Sequence, residues 1–179
     1  RCSKLKNQLS KRTITLSIYF LLFFGVVGIW VWEIKQFDEL LETMWAWEHQ
    51  YDFANIWYSF KLVSPFNAAI CSLLLGIGIF LKNRTGWILI TAWFYYLCAN
   101  FIRLILEENT INLADFSKPM FLVAIPVAFI ILMNKYEGIA VYHRVESKSK
   151  VKLNFWSIGV GIALAALIII KKNLLQQYL

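Results

Sequence analysis

Long apolar runs alternate with short polar connections along this chain, and the runs set its architecture. They are Thr13 to Trp32, Pro65 to Leu81, Trp87 to Leu106, Pro119 to Met133 and Asn154 to Ile170. A hydrocarbon layer of roughly 30 Å takes about 20 helical residues, with about 17 as the practical minimum. All but Pro119 to Met133 reach that length. The pattern predicts an all-α, polytopic membrane bundle of five transmembrane helices, with residues 1–179 forming a single transmembrane domain. The short run leaves an alternative of four crossings plus a re-entrant segment. Pro126 in its middle lacks a backbone donor and should free the Leu122 carbonyl, bending that helix.

Local signals sharpen the boundaries. Ser64-Pro65 and Ser117-Lys118-Pro119 each place a capping hydroxyl ahead of an early-turn proline. Lys82 to Gly86 is a tight polar connection, which makes the second and third spans an antiparallel hairpin. Small residues recur at four-residue spacing: Ala68, Ser72 and Gly76; Ala124 and Ala128; Gly159 and Ala163; Gly161 and Ala165. Lipid tails give helices little hydrophobic reason to associate, so close backbone approach at such stripes marks the packing surfaces.

The connection Glu33 to Ser64 is too short for an independent soluble domain, which needs roughly 40 residues or more. It is nevertheless rich in aromatics. Phe37, Leu40, Leu41, Met44 and Trp45 follow the spacing of one helical face, while Asp38, Glu39 and Glu42 fall on the other. This predicts an outer interfacial amphipathic helix at about 36–60, continuing or following the first span. Its acidic balance disfavours anionic lipid as its target. Phe37, Leu41, Met44, Trp45 and Trp57 are the candidate partner interface.

Composition supports the membrane class. Apolar residues make up 59% and charged residues 16%, against about 45–50% and about 25% in soluble domains. The net charge of +7 sits in span flanks without an aromatic-interleaved patch, so lipid headgroups and topology explain it and no nucleic-acid partner is expected. Cationic loops stay on the cytoplasmic side. A five-span arrangement with an inner N-terminus places Arg1, Lys4, Lys6, Lys11, Arg12, Lys82, Arg84, Lys135, Arg144, Lys148, Lys150 and Lys152 inside. Only Lys35, Lys61, Lys118, Lys171 and Lys172 lie outside. The expected protein is integral to the membrane, with its N-terminus on the cytoplasmic or equivalent inner side and its C-terminus opposite. Lys171 and Lys172 resist this arrangement, since they directly follow the last span. The first run is too long for a signal-peptide core and is expected to remain as an anchor.

Chemistry-bearing residues are sparse. Cys2, Cys71 and Cys98 stand singly, and His49 and His143 fall on opposite predicted sides. Neither set forms a metal or haem signature, and neither glycine-rich phosphate loop nor intramembrane carboxylate occurs. No catalytic residue, metal or cofactor is therefore expected. The one intramembrane charge is Arg103, with Glu107 one turn away and Asn100 one turn deeper. With Asn67 at the same level of the second span, these residues form the candidate polar pocket: Asn67, Asn100, Arg103 and Glu107.

The expected function is a non-catalytic multi-pass subunit of a larger membrane protein assembly. Its partners would be the lipid bilayer and other membrane subunits or further copies of itself. Two alternatives are an oligomeric channel or transporter with Arg103 at its outer mouth, and a membrane sensor.

Overall fold

The structure, a computed structural model, describes residues 2–48, 67–107 and 117–177. The described chain is helical apart from short connections. In order it forms α1 (Cys2–Glu48), α2 (Asn67–Phe80), α3 (Arg84–Glu107), α4 (Ser117–Lys135), the short α5 (Glu137–Tyr142), a 3-10 turn (Ser147–Ser149) and α6 (Lys150–Gln177).

Three of these helices are long and apolar enough to cross a bilayer, over Ser10–Glu39, Arg84–Arg103 and Ser147–Lys171. The outward faces of the first and last of them carry Phe20, Leu21, Phe24, Val31, Phe155, Ile162 and Leu167, all exposed. Water would tolerate such a continuous apolar surface poorly, whereas lipid accepts it. The second and fourth predicted spans correspond to the shorter apolar helices Asn67–Phe80 and Val123–Lys135. The part of the second span before Asn67 lies outside the described residues.

α3 is the axis of the bundle, packing on α2, α4 and α6, while α1 lies against α2 and α5. Of the α3 span 44% is buried, against 22% for α1 and 17% for α6. Trp87, Ile90, Trp93, Phe94 and Tyr96 fill the interior from α3. Phe94 stacks on Phe129 of α4 with ring centroids 4.9 Å apart. α6 closes on α3 through Gly161, where a Cβ would come within 2.8 Å of the Ala92 carbonyl and the Tyr95 Cβ. Beside it the Thr91 and Ser157 hydroxyls bond across the interface at 2.5 Å. Each also donates or lies close to a carbonyl of its own preceding turn, so both hydroxyls are satisfied where lipid supplies no partner.

The long helices alternate in direction. Contacts gather Lys11, Leu81, Asn134, His143 and Lys150 at one end, and Lys171 bonds Asn67 at the other, 3.4 Å away. Lys171 therefore belongs to a helix that traverses the whole bundle. Its position after the last apolar run follows from α6 ending beside the start of α2.

Several boundaries differ from the sequence expectation for identifiable reasons. α3 starts at Arg84 rather than Trp87, because the Asn83 side chain accepts the Gly86 N–H at 3.0 Å, an N-cap worth about 1 kcal/mol. α4 starts at Ser117 and runs through a buried Pro126 to Lys135. α1 continues through the predicted surface helix as far as Glu48. No glycine or proline follows Gly28 before that point to end it. On this extension Phe37 and Leu41 are half-buried while Asp38, Glu39 and Glu42 are exposed. Residues 49–60 of the predicted helix, including Trp57, lie outside the described residues, as do the side chains of Met44 and Trp45.

The small-residue stripes divide into engaged and open surfaces. Gly76 faces Val26 of α1, and Ser72 and Gly161 are buried. Ala124, Ala128, Gly159 and Ala163 face outward from the chain.

Candidate functional site

The most elaborate polar arrangement among the described residues lies where α1, the α2–α3 turn and α5 meet. It is built around His143, which is fully buried. α5 ends in a Schellman motif. The Val145 N–H bonds the Ala140 carbonyl at 2.8 Å and the Arg144 N–H bonds the Val141 carbonyl at 3.1 Å. Arg144 takes the left-handed position of this motif, with φ 55°, where glycine is usual. The turn directs the His143 ring inward.

Both ring nitrogens are used. Nδ1 lies 2.8 Å from the Leu81 carbonyl and Nε2 lies 2.5 Å from the Tyr19 hydroxyl. A carbonyl only accepts, so Nδ1 carries a proton; in the neutral ring that burial favours, Nε2 is then the acceptor and Tyr19 donates. This is neutral imidazole in one tautomer. Burial pushes the His143 pKa below its ordinary value, a shift that the backbone hydrogen bonds oppose. Trp87, Tyr19 and Tyr142 enclose the ring edge-on.

The latch requires close backbone approach. A Cβ at Gly86 would lie 2.9 Å from His143 Nδ1 and 2.7 Å from the Gly78 carbonyl, and would collide with the Leu81 carbonyl. At Gly138 a Cβ would lie 2.6 Å from the Thr15 hydroxyl, so this glycine lets α5 lie against α1. Tyr142 donates to the Ile79 carbonyl at 3.2 Å and Tyr136 to the Lys11 carbonyl at 3.1 Å. An exposed ion pair, Lys11 to Glu137 at 2.7 Å, completes the α1–α5 contact. It holds the Glu137 carboxyl below its ordinary range.

Between these elements opens a cleft of about 510 Å³. Lys11 and Arg12 of α1 and Lys82 of the turn supply its charge, and Leu16, Val141 and Tyr142 supply apolar wall. Lys82 Nζ stands 5.8 Å from the Tyr142 ring centroid. A second polar junction adjoins the latch. Lys150 donates to the Asn134 carbonyl at 2.7 Å, and Asn154 donates to the Asn134 side chain.

The pocket expected from sequence lies at the opposite end. Arg103 Nη2 donates to Asn100 Oδ1 at 3.3 Å along the same helix. Asn67 takes its hydrogen bond from Lys171. The Glu107 side chain lies outside the described residues. The sequence puts His143 on the inner side but does not show what it touches. Its partners are a tyrosine on another helix and a main-chain carbonyl, and a carbonyl leaves no mark in sequence. The usable signal is Gly86 three residues after a capping Asn83, which marks a turn built for close approach.

Compared with protein-family models, curated proteins and solved structures, the chain gives no match. Its class rests on fold and surface: a helical, membrane-embedded protein built from packed helices, with multi-pass character.

Proposed function

We propose that this protein is a non-catalytic multi-pass subunit of a larger membrane assembly, and that its open small-residue face receives a transmembrane helix of another subunit. The observation that carries this reading is the contrast along α6. Gly161 is closed against α3, whereas nothing lies within 4 Å of a Cβ placed at Gly159, and Ala163 one turn on is exposed. In lipid, helix pairing draws on close packing at such surfaces. Gly25 and Gly28 of α1 are equally open. The extension of α1, with Phe37 and Leu41 half-buried, offers a second contact on the outer side.

In this reading the chain crosses five times, with the His143 end inside. The alternating helix directions and the concentration of lysine and arginine at that end support it. The Arg103–Asn100 and Lys171–Asn67 hydrogen bonds then lie at the outer end.

Gly159→Leu combined with Ala163→Leu tests the assembly role. The pair should abolish co-purification of partner chains in mild detergent while leaving the melting temperature of the isolated chain unchanged. A wild-type chain that is monodisperse and monomeric in native mass spectrometry would defeat the proposal. Single-cysteine labelling at Trp45 and Lys150 tests the crossing pattern and should report opposite compartments.

A further inference from the structure

We infer that the cleft between α1, α5 and the α2–α3 turn is a binding site for the phosphate-bearing headgroup of an anionic lipid. Three observations converge on it. First, the lining carries Lys11, Arg12 and Lys82 and, among the described residues, no carboxylate. Glu137 meets Lys11 at 2.7 Å, and no ion pair to Arg12 or Lys82 occurs among the described residues. Two positive charges stay uncompensated around one concavity, so a monoanionic phosphodiester or a dianionic phosphomonoester is the complementary ligand.

Second, the cations come from separate elements held at fixed positions. Lys11 and Arg12 ride on α1, and Lys82 directly follows the Leu81 carbonyl that His143 grips. The Tyr19–His143 hydrogen bond ties α1 to that turn, which fixes the backbone positions from which the three cations project and so lowers the cost of bringing them onto one ligand.

Third, the charges sit where polar and apolar surfaces meet. Lys11 and Arg12 precede the apolar run that begins at Thr13, and Lys82 follows the apolar run that ends at Leu81. The adjoining walls are Leu16 and Val141, exposed at 52% and 76%. Phe20 and Phe80 continue this exposed apolar surface on α1 and α2. A soluble anion would use only the charged rim. A lipid also covers the apolar wall with its acyl chain, and this amphipathic match selects the lipid as occupant. The inference goes beyond the assembly role and does not depend on it.

The test uses the full chain in zwitterionic detergent, titrated with phosphatidylglycerol, with phosphatidylcholine, and separately with glycerol phosphate, and read by native mass spectrometry and by thermal shift. Phosphatidylglycerol should be retained and should raise the melting temperature, with little effect from phosphatidylcholine. Arg12→Gln combined with Lys82→Gln should weaken phosphatidylglycerol about thirtyfold, from the attraction that two cations near a membrane surface supply. Lys171→Gln, at the other end, should leave binding unchanged. Val141→Glu, at an exposed position that folding tolerates, should weaken it by placing a carboxylate in the cleft. Equal retention of the two lipids, or equal phosphatidylglycerol binding by wild type and the double variant, overturns the site. Glycerol phosphate binding as tightly as phosphatidylglycerol overturns the lipid as its occupant.

Discussion

Tyr19 and His143, 124 positions apart in sequence, share a buried hydrogen bond in which the phenol donates to the imidazole. The contact fixes α1 against the rest of the bundle at one end, and its loss has a definite cost. Tyr19→Phe keeps the ring and removes the donor, leaving His143 Nε2 buried without a partner. An unsatisfied buried acceptor costs about 1–3 kcal/mol. Unfolding of the variant in mixed micelles should show a destabilisation of that size, while a cavity-free ring contact with Tyr142, 4.9 Å away in the wild type, is preserved.

Burial of the same imidazole makes stability depend on pH. His143 titrates below its ordinary value of 6.5 because burial disfavours the imidazolium. Above that value folded and unfolded states both hold neutral imidazole, and the latch contributes fully. As pH falls below about 6.5 the unfolded chain takes up a proton that the folded chain refuses, so stability declines toward the lower folded value. Unfolding measured between neutral and mildly acidic pH should show this decline, and His143→Gln should flatten the part of it that this group supplies.

Gly86→Ala should be among the most damaging single-methyl additions in the described chain. Two carbonyls, those of Leu81 and Gly78, and the His143 ring crowd the position, and backbone atoms yield less readily than side-chain tips. Overpacking of this kind costs about 1–3 kcal/mol. Thr85→Ala, one residue earlier and exposed, serves as the control. Equal melting temperatures for the two variants would mean that the turn is looser than its geometry implies.

Arg144→Gly should stabilise. The left-handed conformation at φ 55° costs a side-chain-bearing residue roughly 1–2 kcal/mol, part of which returns as the greater freedom of glycine in the unfolded chain. A net gain of about 0.5–1 kcal/mol in thermal unfolding is expected. Arg144 is exposed, and among the described residues no ion pair holds it.

Helix existence was legible in the chain because membrane helices satisfy their backbone locally, and the apolar runs record this directly. The Asn83 cap and the tight turn after Leu81 were equally local, yet the expected start of the third span fell a turn late. Arg84, Thr85 and Gly86 read as connection when polarity alone is weighed. The small-residue stripes were visible as spacing. Which of them closes on a neighbour was decided by rotation of each helix about its axis, and that rotation follows from side chains on several helices at once.

The sequence by itself determined that this is a multi-pass helical membrane protein, since the length and apolarity of its runs depend on lipid thickness and not on partners. Only tertiary structure decided that α3 is the axis, that Lys171 ends beside Asn67, and that His143 joins Tyr19 to the Leu81 carbonyl above a cationic cleft. Those relationships pair side chains with distant helices and with main-chain oxygens. Main-chain oxygens are the same in every residue, so no reading of side-chain types reveals which one will be used.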